Sequence, residues 1–93
     1  MGKYAKISEM VQKLSEGDCI DIEMDFGRGK ARVKRAAIVV TAPGLDKKSL
    51  HFAPGTGGCA ALGKTPAATI TVKSGIYRFL VERSPQWGEE DVF

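Results

Sequence analysis

The stretch GCAALGKT, residues 58–65, meets every fixed position of the phosphate-loop pattern G-x-x-x-x-G-K-[ST]. Such a loop binds phosphate because a strand feeds a glycine-rich turn into the start of a helix. The N–H groups and the lysine then face the anion. Here Pro66 follows Thr65, and ATITVKSG comes next, with β-branched residues at alternating positions. That is strand material rather than helix material. Nothing after Thr65 resembles an Asp-ended strand able to hold magnesium. The motif therefore reads as a glycine-rich surface loop. Its Lys64 can touch a nucleic-acid phosphate, and no nucleotide cofactor is expected.

Other groups capable of chemistry are few. Cys19 and Cys59 are the two cysteines and His51 the one histidine. Neither cysteine belongs to a C-x-x-C pair, so a structural zinc site is not expected. A thiol–imidazole pair would need a third group to orient the base, and the spacing supplies none. The N-terminus, MGKYAKISEM, has no apolar signal core, which points to a cytoplasmic chain and hence to two reduced thiols, with a disulfide as the alternative if the strands or loops that carry them meet. Asp21, Glu23 and Asp25 alternate along one strand face, where a basic partner strand makes them surface ion-pair groups rather than acid–base catalysts. The expectation is a non-enzymatic protein.

Charge is segregated. The net charge of the 93-residue chain is only +3. Residues 1–27 hold three lysines against six carboxylates, residues 28–78 hold ten cations against Asp46 alone, and residues 79–93 hold Arg83 against four carboxylates. A basic middle between acidic ends is an electrostatic footprint for an anionic partner.

The elements that must position these groups follow from periodicity. In residues 3–14, Tyr4, Ile7, Met10, Val11 and Leu14 recur at helical spacing, and Gly17 follows as a stop. In CIDIEMDF, Ile20, Ile22, Met24 and Phe26 alternate with acids, as in a half-buried strand. A tight turn at Arg28-Gly29 would place Met24 opposite Val33 and Glu23 opposite Lys34, apolar pairs on one face and opposite charges on the other. This register sets Ile22 opposite Arg35, a mismatch that a bulge would relieve. Residues 49–53 form a short strand after the Pro43-Gly44 turn. Residues 69–73 and 76–82 form a second hairpin about Ser74-Gly75, with Phe26 and Phe79 in the core. The expected fold is α+β: an N-terminal amphipathic helix packed on a small bent antiparallel sheet or open β-barrel of about five strands in two hairpins. One compact domain spans residues 1–85, followed by a polar tail over residues 86–93. No apolar run approaches the roughly 18 residues of a membrane span.

These features point to a module for single-stranded DNA or RNA. Arg28, Lys30, Arg32, Lys47, Lys48 and Lys64 would contact phosphates, while Tyr77 and Trp87 would stack on bases. Arg32 also has an alternative partner in the strand opposite. The terminal WGEEDVF resembles the acidic, aromatic-ended tails of bacterial and phage single-stranded-DNA-binding proteins, which implies recruitment of partner enzymes. It departs from them in its short acidic run and in Val92, where those tails carry proline, so a plain solvated terminus is the first reading. The alternative function is a small protein-interaction or inhibitor protein, such as an adaptor, a phage or mobile-element accessory or an assembly component. It would use the segregated charge to meet an oppositely charged protein. Strand edges would also allow a homo-oligomer.

Overall fold

A computed structural model describes residues 2–27, 33–42, 47–55 and 57–83, giving only the backbone at residues 2–5, 42 and 83. The chain is α+β. Helix α1 (Gly2–Gln12) leads into β1 (Cys19–Asp25), β2 (Val33–Ala42) and β3 (Lys47–Phe52). A 3-10 turn follows (Cys59–Leu62), then β4 (Ala68–Lys73) and α2 (Ser74–Arg83). The four strands form an open mixed sheet in the order β3-β2-β1-β4, with β4 parallel to β1 and the other pairs antiparallel.

The register follows the alternation of the sequence. Met24 lies opposite Val33, Glu23 opposite Lys34 and Ile22 opposite Arg35. No bulge is needed at Arg35. Its aliphatic stem lies on the core side of β2, and its guanidinium sits 5.6 Å from the Phe52 ring centre and donates from Nη2 to the Ala53 carbonyl at 2.7 Å. A long side chain can thus occupy a core-facing position while its charge meets an aromatic face and a backbone acceptor.

Both helices cover the face that carries Ile20, Ile22, Ala37, Val39, Leu50 and Val72. Ile7 and Val11 from α1 and Leu80 from α2 complete this core. The segment IYRFLVE is the tail of a helix, not the second strand of a hairpin. Leu80 is buried while Ser74, Gly75, Arg78 and Glu82 are exposed, a helical period rather than a period of two. A short apolar run with β-rich composition does not distinguish the two by pattern alone. Tertiary demand decides it, because the core face of β1 and β4 needs a cover and α2 supplies one.

The opposite face has its own small cluster. Cys19 and Cys59 are joined by a disulfide and pack with Ala36, against which Ile38 and Ala53 rest. The expected pair of free thiols is thus replaced by a covalent clasp between β1 and the loop before β4. The sheet is not closed into a barrel, and its polar face is partly roofed by this loop. No described helix is long and apolar enough to cross a membrane.

Two outcomes are expected from substitution. Leu80→Ala costs about 2–5 kcal/mol in denaturant unfolding, while Arg78→Ala costs less than about 0.5 kcal/mol. A strand would place both residues on one face and blur that contrast. Replacing Cys19 and Cys59 by serine releases a loop closed over a separation of 40 residues and lowers stability by about 2–4 kcal/mol, readable as a lower unfolding midpoint.

Candidate nucleic-acid interface

The glycine-rich segment is held by the protein itself. The Cys59 N–H donates to Asp21 Oδ1 at 2.6 Å, so a carboxylate occupies the place a phosphate would take on that amide. The Ala61, Gly63 and Lys64 N–H groups donate to the carbonyls of Gly58, Ala60 and Cys59. Gly63 caps the turn at φ 71°. Gly58, at φ 70°, lies so close to Lys34 and Asp21 Oδ1 that a Cβ would collide with both. Strand β4, not a helix, follows the lysine. Lys64 itself is exposed.

The acidic row is likewise committed. Asp21 is buried beneath the loop rather than solvated on a surface face, because the clasp between Cys19 and Cys59 brings the loop down on it. Lys34 Nζ lies 3.5 Å from Glu23 Oε2 and 3.9 Å from Asp21 Oδ2. The Thr71 hydroxyl donates to Glu23 at 3.3 Å. Asp25 accepts the Gly27 N–H at 2.8 Å. With both sulfurs bonded to each other, neither Cys19 nor Cys59 is a nucleophile for exposed His51 to activate.

The expected phosphate contacts among the described residues, Lys47, Lys48 and Lys64, lie toward one end of the sheet. Lys47 and Lys48 begin β3, which pairs with the end of β2 and so lies toward the start of β1. Lys64 precedes Ala67, whose N–H donates to the Cys19 carbonyl at that same end. Lys48 is spent on the fold. Its ammonium donates to the Gln12 and Leu14 carbonyls at the end of α1, where a cation meets the negative end of the helix dipole. Its own N–H and carbonyl bond the Gln12 side-chain amide, which closes part of the outer edge of β3. Lys47 is half-buried.

The other end lies about 20 Å away along β1, at roughly 3.3 Å per residue. There β1 ends beside β4, with Asp25 aligned with Lys73, and the connection from β1 to β2 leaves the sheet. Arg28, Lys30 and Arg32 belong to that connection and lie outside the described residues, as does Trp87. At this end the structure gathers several described groups. Exposed Lys73 ends β4, and α2 starts at the next residue. Exposed Arg78 follows one turn later. Phe26 is 38% exposed rather than buried, because it lies past the last paired residue of β1, where no neighbouring strand covers it. A cavity of about 260 Å³ opens between β1 and α2, lined by Met24, Ser74, Tyr77, Arg78, Val81 and Glu82. The spacing of Arg78 and Glu82, one helical turn apart, was the available sequence signal for this wall.

Among the described residues, Tyr77 is the one expected site residue that lines this cavity. It is half-buried, and desolvation raises its phenol above the ordinary value of 10.0, with the Arg35 charge pulling in the opposite direction. Phe52 packs against the core and under the Arg35 guanidinium. Among the described residues no cluster of three His, Cys, Asp or Glu side chains forms a metal site. The chain matches no protein-family model, no curated protein and no solved structure.

The raised phenol has a pH signature. Above pH 10 the unfolded chain loses the Tyr77 proton before the folded one does, so the contribution is intact below that pH and stability falls as pH rises past it. In paired urea titrations the wild type therefore loses more stability than Tyr77→Phe between neutral pH and the region above 10. Parallel pH profiles for the two proteins would refute the assignment.

Proposed function

We propose that this protein is a non-enzymatic module that binds single-stranded nucleic acid at the Lys73 end of its sheet. The observation that carries this reading is the convergence of Lys73, Arg78, Tyr77 and exposed Phe26 around the point where the Arg28-, Lys30- and Arg32-bearing connection leaves the sheet. Lys73 and Arg78 stand at this end, the connection adds Arg28, Lys30 and Arg32 in sequence, and among the described residues Asp25 is aligned with Lys73 and Glu82 lines the cavity with Arg78. Cations supply backbone affinity without sequence preference, and aromatic rings supply stacking that any base can use. A duplex presents its bases only by their edges, so a surface pairing rings with cations favours unpaired strands.

The surface is smaller than the basic middle of the chain implies. Lys48 is engaged by α1, and Lys47 and Lys64 lie at the far end. Fluorescence anisotropy with a labelled single strand at two salt concentrations tests the reading. The double variant Lys73→Ala, Arg78→Ala weakens binding about ten-fold or more and reduces the salt slope by about 0.7 for each phosphate that is no longer neutralised. Lys64→Ala leaves affinity within about two-fold, since that lysine lies away from this end. Absence of salt-sensitive binding by the wild type would refute the proposal and turn attention to an acidic partner protein. Equal weakening by Lys64→Ala would move the surface to the other end.

A further inference from the structure

We infer that the cavity between β1 and α2 is a recognition pocket for one unpaired guanine base. The inference deepens the nucleic-acid reading and rests on it for the strand, but the pocket can be tested without a strand. Its volume, about 260 Å³, is just below the roughly 300–1,000 Å³ of pockets for drug-sized ligands. That leaves room for a single planar heterocycle and little more.

The walls match such a guest. Met24 and Val81 are apolar and Tyr77 aromatic, so a base entering from water gains burial and a ring to stack on. Among the described residues the lining also includes Ser74, Arg78 and Glu82, whose side chains carry a hydroxyl, a guanidinium and a carboxylate. Arg78 and Glu82 are both exposed, one turn apart on α2, and no ion pair within 4 Å joins them. One wall therefore presents a forked donor and a two-oxygen acceptor together.

The bases differ in how they answer that wall. A carboxylate is best satisfied by two adjacent donors, and guanine alone offers them, at N1–H and N2–H. A guanidinium is best satisfied by two adjacent acceptors, which guanine offers at O6 and N7. Adenine and cytosine each present one exocyclic amine to the carboxylate, and thymine or uracil one ring N–H. Those bases leave a pocket group unpaired, which is the usual source of discrimination by polar sites. Lys73, at the adjoining end of β4, meets the phosphate of the inserted nucleotide.

Two measurements on the full chain separate the pocket from the strand. In the first, amide shifts are followed by NMR as each of the four nucleoside monophosphates is added. Guanosine monophosphate is expected to shift Ser74, Tyr77, Arg78, Val81 and Glu82 saturably, and the others weakly or not at all. In the second, an oligothymidylate is compared with the same strand carrying one central guanine. The guanine strand is expected to bind about ten-fold more tightly. Glu82→Gln is expected to erase that preference. Salt-sensitive binding with equal affinity for both strands, and no selective shifts, would overturn the guanine pocket and leave the surface reading intact. Selective shifts with guanosine monophosphate but no strand binding would uphold the pocket and overturn the surface reading. A preference that survives Glu82→Gln would overturn the role given to the carboxylate.

Discussion

Strand β1 must satisfy both of its faces at once, and the rest of the molecule is arranged around that demand. Ile20 and Ile22 point to the side covered by the helices and are fully buried. Cys19 and Asp21 point to the other side and are also buried, so this end of the strand is not an ordinary solvated face. The loop before β4 meets that demand. Its Cys59 closes the disulfide to Cys19 and gives its N–H to the Asp21 carboxylate. A buried carboxylate without such a donor would be costly, and the amide of the loop needs an acceptor just as much. Parallel pairing of β4 with β1 requires a long crossover. The clasp anchors the end of that crossover beside Cys19, so β4 enters in register.

The same economy determines where charge remains available. The basic middle of the chain looked like one continuous surface, but the fold uses much of it. Lys34 sits among Asp21 and Glu23, Arg35 lies over Phe52, and Lys48 caps α1. Each cation answers a local need: a buried carboxylate, an aromatic face beside the core, or unpaired carbonyls at a helix end. Among the described residues, Lys73 and Arg78 remain outward at the Lys73 end, where Tyr77 lines the cavity and Phe26 is exposed. Arg35 carries a residual tension, since its Nε is buried without a partner while Nη2 is bonded.

The helix α1, the alternation of β1 and the pairing of Met24 with Val33 and Glu23 with Lys34 were all legible in the sequence. They depend on neighbours a few residues apart or on one short connection, and apolar period and charge complementarity agree there. Residues 76–82 were not legible in the same way. Ile76, Tyr77, Phe79 and Val81 suit either a strand or a helix, and only the uncovered core face of β1 and β4 selects the helix. That single change turns Tyr77, Arg78 and Glu82 into the wall of a cavity with Met24, from a strand that would have dispersed them over two faces. The pairing of Cys19 with Cys59 was equally hidden, since no local pattern connects residues 40 positions apart.

The sequence by itself determined a small α+β chain with an amphipathic N-terminal helix, a charged hairpin in a stated register and a phosphate-loop motif followed by strand-forming residues. Periodicity and β-branching carry those facts locally. Only the tertiary structure decided that the sheet stays open and mixed, that the motif's Cys59 amide serves Asp21, and that Lys73 and Arg78 rather than Lys48 remain exposed beside Tyr77. Those outcomes depend on which groups meet across long stretches of chain, and burial makes unpaired amides, carboxylates and cations too costly to leave without partners.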